Sequence, residues 1–257
     1  MDDKAMKTIF ITGAAQGIGL ATARHFAAQG WFVGLYDLNT HGLNALLEPG
    51  EFPNACAAHC DVTQRESIEG ALRHFAQHSS GKLDVLLNNA GVLSAGRFED
   101  IAPEAHDLIF DVNVKGLTHV AQAAFPWLKS TPGAVMVNLC SASSIYGIPQ
   151  LAVYSASKFY VDGLTQALNI EWAEHDIRVT CVKPPVVNTA MGNMVRAETA
   201  QKNTTDMQPH EVAQAIQNAV EGHRVGYVLG RATGIWAVLD KFLPEFARRK
   251  MTMYLTG

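Results

Sequence analysis

The sequence has few cysteines, no long basic run and no long apolar run. Four cysteines in 257 residues suit free thiols in a reducing compartment and not a disulfide framework. A formal net charge of −4 argues against nucleic acid as a partner. No segment reaches the ~18 consecutive apolar residues of a membrane span, and the acidic N-terminus lacks the basic segment of a signal peptide. We therefore expect a soluble cytoplasmic protein.

The pattern CAAHC at 56–60 is the nearest approach to a metal site. Cys56, His59 and Cys60 lack a second ligand cluster at zinc spacing, and they fall in an Ala-rich stretch typical of a buried strand and its exit. The ten histidines form no His-Glu-x-x-His pattern. We expect no metal.

Strand-like and helix-like segments alternate along the sequence. Apolar, β-branched runs predict strands at 8–12, 31–37, 55–59, 84–91, 133–139, 178–182 and 227–230. Helical patterns predict helices up to about 27 and at 41–48, 63–77, 103–128, 154–174 and 209–220, with a last one from about 235. Apolar strands alternating with helices predict an α/β fold, a doubly wound parallel sheet of Rossmann type with about seven strands and helices on both faces. Since no linker or repeat interrupts the pattern, we expect residues 1–257 to form a single domain.

A glycine-rich segment, TGAAQGIG, follows the first strand. Gly13, Gly17 and Gly19 allow a tight turn and close approach of a ligand, and the helix that begins there offers unpaired N–H groups to an anion. A pyrophosphate is the natural ligand. The spacing G-x-x-x-G-x-G differs from the common G-x-G-x-x-G, and such a turn alone would also fit a tight strand–helix connection.

Asp37 ends the second predicted strand, 20 residues beyond Gly17. A carboxylate there can accept hydrogen bonds from both ribose hydroxyls of an adenosine. A 2′-phosphate would face like charge, and neither Gln16 nor Leu38 supplies a cation. This favours NAD over NADP, although an Asp after a strand is also a common turn or cap residue.

The segment YSASK places Tyr154 and Lys158 four residues apart, on one face of a predicted helix. The spacing alone arises by chance in roughly one chain of this composition in four, so it needs context. NNAG at 88–91 and SASSIYG at 141–147 supply it. These motifs together resemble the short-chain dehydrogenase/reductase family over about residues 7–190, in the family's order and spacing.

The resemblance implies a seven-stranded NAD(P)-binding domain and gives four residues catalytic roles. Tyr154 is the expected acid/base, Lys158 its partner, Ser141 the hydroxyl that orients substrate, and Asn113 the relay residue. A phenol has a reference pKa near 10, so a base at neutral pH needs nearby positive charge, which Lys158 and an oxidised nicotinamide would provide. The resemblance also implies cofactor contacts at Gly13, Gln16, Gly17, Ile18, Gly19, Asp37, Asp61, Val62, Asn89, Gly91, Tyr154, Lys158, Val187 and Thr189. Two positions depart from the family: Cys140 is often Ser, and Pro185 is usually Gly.

We expect an NAD-dependent oxidoreductase that interconverts a secondary alcohol and a ketone. A NADP-dependent carbonyl reductase and a catalytically silent nucleotide-binding sensor are the alternatives; titration with both nucleotides and turnover on a panel of alcohols would separate them. The substrate is expected to be a mid-sized apolar alcohol or ketone. Candidate pocket residues are Leu93, Ser143, Ile145, Tyr146, Ile148 and Leu151, with a substrate loop at 190–207 that is either an apolar lid or an ordinary packed segment.

Two helical segments and the C-terminus suggest further contacts. The predicted helices at 103–128 and 154–174 carry more apolar positions than one sheet-facing stripe needs, and the family resemblance implies a homodimer or homotetramer built on them. The C-terminal extension at 231–257 carries apolar residues at helical spacing, and Pro244 divides it into two short pieces. We expect it to pack on its own domain or on a second subunit, with membrane contact the less favoured alternative.

Overall fold

The computed structural model describes residues 6–47, 50–199 and 206–256. In these ranges seven strands form one sheet: β1 (Thr8–Thr12), β2 (Phe32–Asp37), β3 (Ala55–His59), β4 (Val85–Asn88), β5 (Val135–Leu139), β6 (Arg178–Lys183) and β7 (Gly226–Val228). The strand order is β3-β2-β1-β4-β5-β6-β7, and every pairing is parallel. The chain therefore reverses its direction of winding between β3 and β4. Ligands of such sheets bind at this crossover, outside the carboxyl ends of the central strands.

Within the described residues, ten α-helices connect or follow the strands. They are α1 (Gly17–Ala27), α2 (Thr40–Leu47), α3 (Arg65–His78), α4 (Pro103–Phe110), α5 (Leu117–Lys129), α6 (Ala152–Glu171), α7 (Ala190–Glu198), α8 (Pro209–Glu221), α9 (Arg231–Leu239) and α10 (Glu245–Thr256). Short 3₁₀ turns lie at Phe98–Asp100, Ala142–Ser144 and Trp172–His175. No helix in the described ranges is both long and apolar enough to cross a membrane.

Two apolar layers cover the sheet, one on each face. Ile9 and Ile11 of β1 belong to the layer that holds α1, α2 and α8, whereas Phe10 belongs to the layer that holds α3 and α5. This alternation follows from the two-residue period of a strand. The predicted doubly wound α/β fold is confirmed.

An aromatic cluster forms the centre of the second layer. The ring of Phe10 stacks on that of Tyr36 at 4.1 Å and meets that of Phe75 edge-on at 5.4 Å. Gly34 of β2 faces the same ring, and a Cβ atom there would overlap Phe75. The absence of a side chain at Gly34 thus allows α3 to approach the sheet closely enough to bury Phe75.

Several predicted boundaries are wrong in an informative way. The expected helix at 103–128 is interrupted by a π-helical segment, Asp111–Gly116, in which the amide of Leu117 bonds the carbonyl of Val112. The sixth helix begins at Ala152 and not at Tyr154, and the last segment becomes helical at Arg231 and not near 235. Pro244 separates α9 from α10, as predicted.

The expected strand at 84–91 spans only Val85–Asn88, because residues 89–91 leave the sheet to form a turn. The expected loop at 190–207 begins with a helix, Ala190–Glu198. Its residues 200–205 lie outside the described part of the chain.

We predict that Phe75→Ala lowers the free energy of unfolding by about 3–5 kcal/mol, because it empties a fully packed site between α3 and the sheet. Chemical denaturation followed by circular dichroism measures this. Phe98→Ala is the matched control, since Phe98 is 61% exposed, and its effect is expected within about 0.5 kcal/mol. Equal effects of the two substitutions would contradict the packing described.

Candidate active site

A cavity of about 850 Å³ opens at the carboxyl ends of the central strands. Most of the predicted site residues line it: Gly13, Gln16, Gly17, Ile18, Asp37, Asp61, Val62, Asn89, Gly91, Ser141, Tyr154, Lys158, Val187 and Thr189. Gly19 and Asn113 do not line it. Of the expected substrate contacts, Leu93, Ser143, Ile148 and Leu151 line the cavity, whereas Ile145 and Tyr146 do not.

The glycine-rich turn lies where β1 passes into α1. Gly13 and Gly17 have φ of 67° and 57°, values that favour glycine. Gly19 has an ordinary φ, but a Cβ atom there would overlap the carbonyl oxygen of Gly13. Only glycine therefore fits at Gly19 without movement of the turn.

The first turn of α1 is prepared for an anion. The residue before it, Gln16, makes no side-chain capping bond, and the first turn contains no acidic residue. The amide N–H groups at this helix end are thus left without a side-chain cap, beside a cavity, with the positive end of the helix dipole behind them. These features fit the pyrophosphate of a dinucleotide.

Asn89 and Thr12 hold this turn in place. The side-chain amide of Asn89 donates to the carbonyls of Thr12 and Gly13, both at 2.9 Å. The Thr12 hydroxyl accepts from the amides of Asn89 and Ala90. Asn89 therefore positions the glycine turn besides lining the cavity, a role that its place in the NNAG motif did not reveal.

Asp37 ends β2 at the rim of the cavity. Its two carboxylate oxygens accept from the amides of Ala15 and Asn39, each at 2.9 Å. These bonds fix the carboxylate, and each oxygen retains a further lone pair for a ligand hydroxyl. The next residue, Leu38, is 64% exposed and uncharged. Among the described residues that line the cavity, Lys158 is the only cation.

Two further predicted contacts follow β3. Asp61 accepts from the amide and the hydroxyl of Thr63, at 2.9 and 2.7 Å. Val62 is buried, and it lies so close to Gly116 that a Cβ atom at Gly116 would contact its side chain at 2.9 Å. This turn therefore packs directly on the π-helical segment.

The YSASK residues lie in the first two turns of α6. The Lys158 side chain is almost completely buried, and its ammonium donates to the carbonyl of Leu139, at the end of β5, at 2.8 Å. The ammonium lies 5.6 Å from the centre of the Tyr154 ring. The thiol of Cys140 donates to the main-chain carbonyl of Lys158 at 3.2 Å. Cys140 thus helps to fix α6 against β5.

Burial changes the pKa values of Tyr154 and Lys158. It raises the pKa of Tyr154 to about 12, whereas the hydrogen bond with the Ser141 hydroxyl lowers that pKa. It lowers the pKa of Lys158, because a buried ammonium loses its hydration. The Tyr154 phenol is therefore protonated at neutral pH in the protein alone.

Asn113 lies in the π-helical segment and is buried. Its side chain accepts from the amide of Val92 at 2.9 Å and donates to the carbonyl of Val92 at 2.8 Å. Its second amide hydrogen goes to the hydroxyl of Ser157 at 3.2 Å. Both amide hydrogens are used, so the Asn113 side chain positions the chain after β4 beside α6. Participation of Asn113 in proton relay stays a prediction.

The last two predicted cofactor contacts, Val187 and Thr189, follow β6. Val187 is buried, and the Thr189 hydroxyl caps α7 by accepting from the amide of Gly192 at 3.1 Å. Pro185, which departs from the family pattern, also lines the cavity. The carbonyl of its neighbour, Pro184, accepts from the amide of Ala142 at 2.8 Å. This bond ties the strand end to the Ser141 turn.

The C-terminal helices form a wall that the sequence did not assign to the site. Trp236 of α9 and Thr252 of α10 are buried and line the cavity. Ala232 and Thr233 also line the cavity. The Trp236 ring lies 6.4 Å from that of Tyr146. The helical spacing of apolar residues in this segment predicted that it packs on another part of the protein. It did not predict that the segment packs over the cavity, because that depends on the tertiary structure.

The CAAHC residues do not form a cluster with each other. Within the described ranges, the one group of potential ligands close enough to share a metal ion is Cys56 with His74 and His78. The Tyr36 hydroxyl bonds the Cys56 sulfur at 3.4 Å and the His74 ring at 2.9 Å. Burial raises the pKa of the Cys56 thiol, so the group supports the buried Tyr36 and holds no preformed thiolate.

Comparison with known proteins gives a consistent result. The model of the short chain dehydrogenase family matches residues 7–200. The oxidoreductase UcpA of Salmonella typhimurium is 32% identical over 221 residues, which cover 85% of this chain and 82% of that protein. The 3-oxoacyl-[acyl-carrier-protein] reductase FabG of Thermotoga maritima is 32% identical over 237 residues, covering 89% and 96%. The crystal structure of 3-ketoacyl-(acyl-carrier-protein) reductase from Brucella melitensis complexed with NADH has a TM-score of 0.78 and 27% identity, covering 87% and 96%.

The chain belongs to the short-chain dehydrogenase family. It is an oxidoreductase with an NAD(P)-binding fold. A nicotinamide cofactor fits the uncapped turn of α1, the fixed carboxylate of Asp37 and the size of the cavity.

We predict that Gly19→Ala weakens NADH binding at least about tenfold, because the new methyl group displaces the Gly13 carbonyl and distorts the turn. Fluorescence titration of NADH measures the affinity. Gly70→Ala is the matched control, since Gly70 lies in α3 with open space around it; its affinity should equal that of the unmodified protein. Unchanged binding by folded Gly19→Ala would contradict the assigned turn.

Proposed function

We propose that this chain is an NAD(H)-dependent oxidoreductase that interconverts a secondary alcohol and a ketone. One observation carries the proposal: Ser141, Tyr154 and Lys158 line the same cavity as the glycine turn and Asp37. A protein that only senses a nucleotide would need the glycine turn and Asp37, but not Ser141, Tyr154 and Lys158. The presence of an acid/base, a buried cation and a serine hydroxyl beside the nucleotide site supports turnover.

When bound, the nicotinamide would supply or accept the hydride. The protein's own residues then have to bind the substrate oxygen and manage one proton. Tyr154, protonated at neutral pH, can donate its phenolic proton to the oxygen of a ketone as that oxygen becomes an alkoxide. In the reverse direction the phenolate accepts the alcohol proton, and the Lys158 ammonium stabilises that phenolate.

Ser141 is placed to orient the substrate oxygen. Its oxygen accepts from the amide of Ser143 at 3.2 Å, so its own hydrogen can be donated. Since Ser141 is followed by a 3₁₀ turn that is tied to Pro184, the hydroxyl is held on a fixed backbone. A fixed donor beside the phenol restricts the orientation of the carbonyl, which is a recognised source of rate enhancement.

The substrate side of the cavity is mainly apolar. Its described lining includes Leu93, Ile148, Leu151, Met191, Val195 and Trp236. This favours an apolar alcohol or ketone. A ketone on an acyl chain, which the name of the 3-oxoacyl-[acyl-carrier-protein] reductase of Thermotoga maritima specifies for that relative, meets the same description. An activity panel should therefore include a 3-oxoacyl thioester besides simple ketones.

The choice of NAD over NADP rests on the environment of Asp37. A 2′-phosphate would lie against a fixed carboxylate, with Leu38 and Asn39 as uncharged neighbours in the described lining.

We predict that NADH binds at least about tenfold tighter than NADPH, a difference of ~1.4 kcal/mol. Asp37→Ser should reduce that ratio, and Asp107→Ser, which removes an exposed carboxylate on α4, should preserve it. Equal affinities for the two nucleotides in a titration at fixed ionic strength would refute the assignment.

The role of Tyr154 predicts the pH dependence of each direction. The raised pKa keeps the phenol protonated, so ketone reduction should be nearly constant at about pH 6 to 8 and fall in more alkaline solution. Alcohol oxidation requires the phenolate and should accelerate with rising pH.

Tyr154→Phe should lower kcat at least about 100-fold and leave NADH affinity largely intact. Steady-state kinetics in both directions tests this; retention of most of kcat by Tyr154→Phe would require another acid.

We also propose a homodimer or homotetramer built on α4 and α6. Several apolar positions of the predicted helices at 103–128 and 154–174 are buried within the subunit and need no partner, namely Leu117, Ala121, Ala124 and Val161. Leu108, Phe110, Phe159 and Tyr160 are instead exposed on these helices. A partner subunit would cover these side chains.

We predict an oligomeric mass by light scattering at micromolar concentration, because exposed aromatic rings on α4 and α6 gain from burial. Phe110→Glu combined with Phe159→Glu should reduce the mass toward that of a monomer. Met6→Glu, at an exposed position before β1 and outside both helices, is the control. A monomeric mass for the unmodified chain would remove this part of the proposal.

A further inference from the structure

The two C-terminal helices carry an exposed apolar face. We name as the C-terminal face the exposed side chains Ile235, Val238, Leu239, Phe242, Phe246 and Met253. Phe242 and Phe246 are 82% and 69% exposed. Large aromatic side chains that cluster in this way on the surface of a soluble domain indicate a site of contact.

The opposite sides of the same helices are occupied. Trp236 of α9 and Thr252 of α10 line the cavity from within. On α9, Ile235 and Val238 lie on the side away from Trp236, and Leu239 lies at the boundary between the two sides. On α10, Phe246 and Met253 lie seven residues apart and share the outer side. Each helix therefore has one side on the substrate cavity and one on the C-terminal face.

A clamp holds the helices in this orientation. The guanidinium of Arg248 on α10 donates twice to the Asp240 carboxylate after α9, at 2.7 and 2.9 Å. It also lies 5.2 Å above the centre of the Tyr146 ring. A bidentate pair of this kind fixes direction as well as distance. Turning the apolar residues inward would break it, so their exposure is built into the fold.

The C-terminal face is also positively charged. Lys241, Arg249 and Lys250 are exposed, and within the described part of the chain none of them makes an ion pair. Residues 249 and 250 lie between Phe246 and Met253 on the outer side of α10. The nearby carboxylates are Asp240, which is paired with Arg248, and Glu245. A chain with a formal net charge of −4 thus concentrates cations beside its exposed aromatic rings.

We propose that the C-terminal face docks on a membrane surface rich in anionic phospholipid. Aromatic and aliphatic side chains would enter the region between headgroups and acyl chains, while Lys241, Arg249 and Lys250 contact lipid phosphates. The arrangement disfavours a second copy of this chain as the occupant, because a two-fold contact through this face sets its cations against their own copies. Docking places the cavity wall of Trp236 and Thr252 directly behind the membrane contact, a short route for an apolar substrate.

Sedimentation with vesicles tests this proposal with the full chain. Vesicles of phosphatidylcholine alone are compared with vesicles that contain phosphatidylglycerol in addition, at low and at high salt. We expect binding to the anionic vesicles that weakens at high salt. A variant with Phe242→Ser and Phe246→Ser, and another with Arg249→Glu and Lys250→Glu, should each bind at least about tenfold more weakly.

The matched control combines Phe98→Ser with Arg73→Glu, an exposed aromatic ring and an exposed cation on other parts of the surface. This control should bind vesicles as the unmodified chain does, and all variants should retain turnover in solution. Absence of binding to anionic vesicles would overturn the proposal. Loss of oligomeric mass in the Phe242→Ser, Phe246→Ser variant would also overturn it, since the face would then contact another copy of the chain.

Discussion

The buried ammonium of Lys158 is the interaction on which the site depends. A charge removed from water must be compensated, and here the carbonyl at the end of β5 accepts its hydrogen bond at 2.8 Å. To reach that carbonyl, α6 has to pack against the strand, which places Tyr154 beside Ser141 at the carboxyl edge of the sheet. The thiol of Cys140 and the π-helical segment with Asn113 secure α6 from two sides. The position of Tyr154 therefore follows from the way in which the Lys158 ammonium is bound.

The parallel sheet brings the other half of the site to the same edge. Strands β1, β2, β4 and β5 all end at the cavity, so the glycine turn, Asp37, Asn89 and Ser141 converge although they are far apart in sequence. The turn could be predicted because its glycines are required locally, by positive φ or by contact with a neighbouring carbonyl. Asp37 could be predicted because a carboxylate at the end of the second strand has a specific position relative to an adenosine. Both predictions depend on residues that are close to each other in the sequence.

What the sequence left open depends on tertiary contacts. The helical pattern at 103–128 contains no local break, yet the segment around Asn113 widens to a π-helix so that its side chain can pair with the backbone of Val92. Tyr146 belongs to a motif that resembles the family's, but its ring turns toward Arg248 and not into the cavity. Trp236 and Thr252 line the cavity because α9 and α10 fold back over it, and no local pattern specifies that direction.

The central claim is that positive charge beside a buried phenol sets the acid/base chemistry. The most direct measurement is a ¹³C NMR titration of the protein labelled at the ring carbon that bears the tyrosine hydroxyl, with Tyr154→Phe identifying the signal. In the protein alone, the signal of Tyr154 should show a pKa of about 12. Addition of NAD⁺ should lower that pKa, and Lys158→Met should reduce the effect. A phenol that titrates near 10, with or without NAD⁺ and with or without Lys158, would contradict the account.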